Sequence, residues 1–263
     1  MYQTLAPIIS NREVMAGVYL MWLECPEIAP AIHPGQYIML SCGGDTLLRR
    51  PISVNRVDGG RIGILFSVVG KGTRWLSERG TGDSVDLLGP LGNGYTINKI
   101  SRRLLLLAGG MGIAPLQFLA EEAVKQVRDV TLVLGAKTAS QLYQQSLLPA
   151  EIDCIIATDD GTAGKKGLVT DILPHYIGNS DQIFACGPAA MYRAMAKNIS
   201  QFKGKPVQVS LEMRMACGFG VCYGCTIRTR HGLKQVCKDG PVFELGDIVW
   251  DEMTLINDLR FKI

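Results

Sequence analysis

At 263 residues the chain exceeds one ordinary core and implies two domains with a smaller third part. Hydrophobic residues at 47 % against 19 % charged exclude disorder, and a net charge of +3 without long basic runs excludes a nucleic-acid reader. The longest uncharged stretch, 104–120, is broken by Gly109, Gly110, Gly112 and Pro115 and reads as strand, turn and helix, so no membrane span is expected. The opening Met1-Tyr2-Gln3-Thr4 lacks the basic-then-apolar layout of a secretion signal, which makes the reducing cytoplasm the expected compartment.

Residues 1–99 hold short β-type runs at 18–25, 36–41, 52–57, 61–68 and 84–88, punctuated by Gly and Pro with no long amphipathic helix between them. That texture predicts an antiparallel β-barrel. Within it, Arg49-Arg50-Pro51-Ile52-Ser53 opens a strand, and alternation turns Ile52 to the face opposite Ser53. Downstream, Gly70-Lys71-Gly72-Thr73 opens a predicted helix at 74–78, whose first N–H groups suit a pyrophosphate that Arg50 can also neutralise. Either motif alone is equally well explained as a surface arginine before an edge-strand proline, or as an ordinary glycine turn.

From residue 100 to 210 apolar strands at 104–108, 130–134, 154–157, 182–185 and 207–210 alternate with helices near 115–126 and 189–199, the pattern of a parallel sheet. The first strand runs into Gly109-Gly110-Met111-Gly112-Ile113-Ala114-Pro115, where missing Cβ atoms let backbone approach a dinucleotide. The fourth runs into Cys186-Gly187-Pro188-Ala189-Ala190-Met191, with Pro188 starting a helix. Thr158-Asp159-Asp160-Gly161 also ends a strand, where either a nucleotide-side loop or turn chemistry alone would account for it, and Gly135-Ala136-Lys137-Thr138 does not discriminate NAD from NADP. His33, His175 and His231 stand isolated in loop-like contexts and read as surface or capping residues.

Residues 211–263 place Cys217, Cys222, Cys225 and Cys237 as C-x4-C-x2-C followed, after eleven residues, by a fourth thiol. Three ligands in a glycine-rich loop closed by a fourth from elsewhere is [2Fe–2S] spacing, with a last gap shorter than in plant-type ferredoxins. Structural zinc would need four thiolates and normally two short knuckles, of which there is one; disulfides are disfavoured because Cys25, Cys42, Cys154 and Cys186 are scattered. Lys and Arg balance Asp and Glu in this segment, and Met213 and Met215 are expected to pack beneath the loop.

Together these motifs resemble the ferredoxin reductase family. Arg50, Pro51, Ile52 and Ser53 match its R-x-[YF]-[ST] flavin strand, with Ile52 replacing the aromatic residue, and Gly72 and Thr73 match its phosphate-helix motif. Leu65-Phe66-Ser67 falls where the family lines the flavin, so Phe66 is expected to supply the missing ring. Gly109, Gly110, Gly112 and Pro115 match G-G-x-G-x-x-P, and Cys186, Gly187, Pro188 and Met191 match C-G-P-x-x-M, which implies Cys186 beside the nicotinamide. The resemblance implies an FAD-binding antiparallel barrel at 1–99, a parallel-sheet NAD-binding domain at 100–210 and a small β-rich [2Fe–2S] domain at 211–263. The cysteine region with Glu212-Met213-Arg214-Met215 and Lys238-Asp239-Gly240-Pro241 is similar to the electron-transfer subunits of bacterial type 1B dihydroorotate dehydrogenases. That likeness implies FAD, [2Fe–2S] and NAD as cofactors and a heterotetramer with a separate FMN-containing catalytic subunit, two copies of each. It implies no side-chain acid, base or nucleophile. Related alternatives are the small subunit of an NADH-dependent ferredoxin:NADP⁺ oxidoreductase or of a sulfhydrogenase, and, from another class, a non-catalytic iron–sulfur sensor.

Overall fold

The computed structural model describes residues 1–253; the terminal segment with Asp258-Leu259-Arg260 lies outside the described residues. Six strands form a closed barrel in the order β1-β2-β5-β4-β3-β6: β1 (Tyr2–Met15), β2 (Val18–Glu24), β3 (Tyr37–Leu40), β4 (Arg50–Asp58), β5 (Arg61–Ser67) and β6 (Ser84–Leu91). All six pairings are antiparallel. Helix α1 (Lys71–Ser77) lies between β5 and β6. It begins three residues before the sequence predicted, so Gly72 and Thr73 form its first turn instead of preceding it.

Strand β1 was not legible from hydrophobic pattern. It carries Pro7 and the polar run Asn11-Arg12-Glu13, and it changes partner midway, pairing Tyr2 to Pro7 with β6 and Ile8 to Met15 with β2. Register shifts at Ile8/Ser10 and Glu13/Met15 erase the period-2 alternation a strand normally shows.

The second layer is a seven-stranded sheet in the order β10-β9-β8-β7-β11-β12-β15. It comprises β7 (Arg103–Gly109), β8 (Asp129–Ala136), β9 (Asp153–Thr158), β10 (Lys165–Lys166), β11 (Gln182–Cys186) and β12 (Val207–Ser210), all parallel, with β15 (Val242–Glu244) antiparallel at the edge. Helices α2 (Ile113–Lys125), α3 (Val169–Ile172), α4 (Pro174–Ile177) and α5 (Ala189–Lys197) supply the crossovers. Leu104 to Leu107 are each at most 1 % exposed, as a central strand covered on both faces requires, and each such burial contributes roughly 1.5–3 kcal/mol. The chain winds one way from β7 through β8 to β10 and the other way through β11 and β12. The switch point therefore falls between β7 and β11, where open α/β sheets bind ligands.

The cluster segment adds the hairpin β13 (Thr226–Thr229) and β14 (Gly232–Gln235), then α6 (Val236–Asp239), before β15. Since β15 joins the seven-stranded sheet, the chain from Leu211 onward is stitched into its neighbour. One core joins the sheet, Met215, Cys225, Ile227, Val236 and Cys237 to Tyr37, Met39 and Leu91 of the barrel. Another joins Val18, Leu20 and Leu65 of the barrel to β7, β8 and α2. As the motifs required, the parts pack as one body.

Candidate functional site

Beyond the C-termini of β7 and β11 the two glycine motifs lock together. A Cβ at Gly112 would overlap the Cys186 carbonyl, and one at Gly109 would lie 2.8 Å from Pro188 Cδ and 3.2 Å from Met191 Sδ. The loop at 109–112 thus reaches its place only because side chains are missing. Pro115 lies in the first turn of α2, whose N-terminal N–H groups face the switch point. Met191 is 5 % exposed and packs on Gly109 and Gly187, so it shapes the cleft from beneath.

Two residues unnoticed in the sequence fix Cys186. Buried Tyr192 accepts a hydrogen bond from Gly187 N–H at 2.9 Å and donates to the Ser210 carbonyl at 2.5 Å, and Cys186 Sγ lies 3.9 Å from that same carbonyl. Burial pushes the Cys186 thiol up to about 12, so it stays neutral. Tyr192 directly follows the matched motif, yet an aromatic residue on an amphipathic helix reads as core.

On the barrel, the start of β4 and the first turn of α1 converge. A Cβ on Gly72 would lie 2.8 Å from Arg50 Nε, so glycine leaves the room in which the guanidinium lies on the helix start. Arg50 Nη1 also donates to the Leu48 carbonyl. Thr73 Oγ1 accepts from the N–H of Val69 at 2.9 Å and of Gly70 at 3.2 Å, so its hydroxyl holds the loop and leaves the first-turn N–H groups of α1 to a ligand. A guanidinium beside unpaired backbone donors is the donor set a pyrophosphate fits. Pro51 pairs with Met39, Ile52 packs on the barrel core, and Ser53 stands across from Tyr37.

Phe66 departs from expectation. Its ring is 2 % exposed inside the barrel, stacked on Tyr19 at 5.8 Å, because strand alternation turns it inward while Leu65 faces the second domain. The ring is not available to replace the aromatic residue missing at Ile52. The stretch Leu65-Phe66-Ser67 offers backbone groups and the half-buried Ser67 instead.

The four thiols of the cysteine segment face one another, with Cys217 also near enough to Cys237 to act on it electrostatically. Cys217 interacts with Cys222, and Cys237 with Cys225, whose Sγ also accepts the Cys237 N–H at 3.3 Å. Among the described residues no three His, Cys, Asp or Glu side chains gather as a ready single-ion site. Three thiols in one loop and a fourth returning from Cys237 are the donor set a [2Fe–2S] cluster takes, two thiolates to each iron. Burial raises the Cys217 thiol, but N–H groups of Phe219, Cys222 and Val221 outweigh it and hold it at about 6, the polarity a ligating thiolate needs. Cys225 and Cys237 are buried and Cys222 is exposed. Beneath the loop Met215 is buried and Met213 half-buried, as expected.

The loop is clasped by the barrel. Tyr37, 3 % exposed, shares its one hydroxyl proton between the Gly218 carbonyl at 2.8 Å and the Cys237 carbonyl at 3.1 Å, a bifurcated bond. Asn93 Nδ2 donates to the carbonyls of Lys238 at 3.2 Å and Asp239 at 3.1 Å.

Residues 212–249 match the family model described as the iron–sulfur cluster binding domain of dihydroorotate dehydrogenase B, and residues 106–197 match an oxidoreductase NAD-binding domain. The chain is 38 % identical over 249 residues to the protein of Caldanaerobacter subterraneus named dihydroorotate dehydrogenase B (NAD(+)), electron transfer subunit, covering 93 % of this chain and 98 % of that one. The protein of the same name from Bacillus cereus strain Q1 is 35 % identical over 253 residues, covering 92 % and 96 %. This chain belongs to that electron transfer subunit family. A solved structure of an NADH-dependent reduced ferredoxin-NADP oxidoreductase superposes with a TM-score of 0.87 at 30 % identity, covering 98 % of this chain and 94 % of that one. A Neisseria gonorrhoeae ferredoxin NADP⁺ reductase at 18 % identity, TM-score 0.64, covering 77 % and 92 %, shares the fold.

Asp160 Oδ1 accepts from Thr162 N–H at 3.0 Å and Oγ1 at 2.7 Å, the self-closed turn its sequence suggested. Gly135-Ala136-Lys137-Thr138 lies beside it at the end of β8, where Asp159 N–H donates to the Ala136 carbonyl at 3.1 Å. His33, His175 and His231 are all exposed. Among the described residues no helix is long and apolar enough to cross a membrane.

Proposed function

We propose that this chain passes electrons from the FMN of a separate dihydroorotate-oxidising subunit, by way of a [2Fe–2S] cluster and FAD, to NAD⁺ in the orotate-forming step of pyrimidine synthesis. The assembly is a heterotetramer of two subunits of each kind, in the cytoplasm. The segments 1–99, 100–210 and 211–263 serve the flavin, the nicotinamide and the cluster. FAD, when bound, supplies the exchange between hydride and single electrons that neither NAD nor the cluster can make alone.

The protein's part is positioning. Arg50 and the first turn of α1 hold the flavin's phosphates, while Pro51, Ile52, Ser53 and the end of β5 take its ring system. Gly109, Gly110 and Gly112 admit the NAD pyrophosphate, and Cys186, Gly187 and Pro188 fix the floor of the nicotinamide cleft with a thiol that stays protonated. Cys217 and Cys222 hold one iron, and Cys225 and Cys237 the other. The observation carrying this reading is the clasp between barrel and cluster loop, since Ser53 of the flavin strand is cross-strand neighbour to Tyr37, which holds both cysteine segments.

Around the cluster loop Phe219, Val221 and Tyr223 are 43 %, 63 % and 69 % exposed. Apolar side chains ringing an exposed ligand cysteine form a docking rim for the catalytic subunit. The isolated chain should oxidise NADH with artificial acceptors and leave dihydroorotate untouched, gaining NAD⁺-linked dihydroorotate oxidation on addition of the FMN subunit. Turnover of dihydroorotate by this chain alone would reject the assignment. The close likeness to the ferredoxin-NADP oxidoreductase keeps one second reading in view; NADH-linked turnover with ferredoxin and NADP⁺, and none with the dihydroorotate-oxidising subunit, would select it.

A further inference from the structure

We infer that Tyr37 is a positioning residue for electron passage between flavin and cluster, the strut that fixes both halves of the iron–sulfur loop to the strand pair carrying the flavin residues. The inference rests on the function proposed above. Three observations carry it.

First, the Tyr37 hydroxyl is bonded to two segments at once. Gly218 follows Cys217 in the three-cysteine loop, and Cys237 is the returning fourth ligand, so a single phenol ties the loop that carries three ligands to the segment that carries the fourth. Second, its backbone is part of the flavin face: Tyr37 and Ser53 are register partners on β3 and β4. A shift of the loop relative to Tyr37 is therefore a shift relative to the flavin. Third, the phenol is 3 % exposed and its ring packs in the core shared by barrel, sheet and cluster segment, so it cannot swing away.

The same bonds bear on the cluster's affinity for an electron. The hydroxyl dipole turns its positive end toward two carbonyls of the ligand-bearing backbone, and one more electron on the cluster is stabilised by positive potential there. Tyr37→Phe keeps the ring and its packing and removes only that dipole and both hydrogen bonds. The cluster's potential should fall, and the loop should lose its fixed spacing.

The test uses the full chain loaded with FAD and cluster, mixed anaerobically with NADH. Flavin bleaching reports the hydride step, and the reduced cluster's paramagnetic signal reports the next step. In Tyr37→Phe the flavin phase should stay within about twofold of the parent while the cluster phase slows about tenfold, the lower end of what loss of a partner around a metal site costs. The cluster's midpoint in a redox titration should move to lower potential. Asn93→Ala, which frees only the carbonyls of Lys238 and Asp239, should leave the cluster phase within about twofold. An unchanged cluster phase in Tyr37→Phe would overturn the inference, as would equal slowing in Asn93→Ala, since generic docking would then suffice. If Tyr37→Phe alone loses its cluster during purification, the strut role stands on that result. Failure of NADH to reduce the parent's flavin would instead reject the proposed function.

Discussion

The proposed nicotinamide cleft and the cluster loop are held in opposite ways. The cleft is backbone against backbone: Gly112 meets the Cys186 carbonyl, Gly109 meets Pro188, and Tyr192 ties Gly187 to Ser210 beneath them. The loop leaves Cys222, Val221 and Tyr223 exposed and rests on bonds from Tyr37 and Asn93. A cleft that must accept and release a soluble dinucleotide is shaped before its ligand arrives. A loop that keeps its cluster permanently can leave part of its order to the metal.

The sharpest way to break that comparison is to remove a ligand. Cys237→Ser should abolish cluster binding and all partner-linked turnover, leave NADH oxidation by artificial acceptors in place, and expose 217–225 to proteases while 109–115 stays protected. Iron and sulfide analysis with limited proteolysis checks this, and equal protection of both regions would show that the loop is as preformed as the cleft.

The reverse experiment attacks the cleft. In Gly112→Ala the new methyl group and the Cys186 carbonyl cannot coexist without separating the two motifs. Flavin reduction by NADH should slow on the order of a hundredfold, the scale of an ångström-sized misplacement of reacting groups, with FAD and cluster retained. Anaerobic stopped-flow absorbance reads the rate, and a normal rate would mean the cleft tolerates more movement than its packing suggests.

Two further substitutions sharpen the contrast. Arg50→Ala removes the guanidinium over Gly72, and loss of charge-assisted bonds worth about 1.5–3 kcal/mol should weaken FAD binding about 10- to 100-fold. Full FAD occupancy after dilution would remove Arg50 from the phosphate site. Val221→Asp places a charge in the exposed rim, and about 1.4 kcal/mol or more lost to its desolvation corresponds to tenfold weaker association with the catalytic subunit. NADH oxidation by dyes should be spared, and unchanged subunit affinity in a titration would place the interface elsewhere.

What the sequence revealed was chemistry confined to short spacings. The cysteine run and the motifs at 109–115 and 186–191 each act within a few residues, so their purpose is visible before any fold is known. The clasp between barrel and cluster was not, because Tyr37 stands in an apolar strand run and the loop carbonyl it bonds lies 181 residues later. Strand β15 was hidden for a related reason: three residues join a sheet edge only after the cluster segment has brought them there. The expectation for Phe66 failed on facing, since the stacked pair with Tyr19 uses the interior side of β5.

The smallest expected effect tests what the cleft's thiol does. Burial pushes the Cys186 thiol up to about 12, so it remains protonated through the ordinary thiol range and only a uniform, neutral contribution to nicotinamide placement is open to it. Cys186→Ala should therefore slow flavin reduction by NADH about three- to tenfold, a modest loss of orientation, with FAD retained. The ratio of parent to variant rates should be the same from about pH 7 to 10, because deprotonation of a thiol with a raised pKa begins only above that window. A ratio that grew with pH through about 8.5 would mean that the thiolate forms in the working enzyme and acts on the nicotinamide as a charge. In that case the thiol would be more open to water than its packing against Ser210 and Tyr192 indicates, and the nicotinamide end would share the looser character of the cluster end.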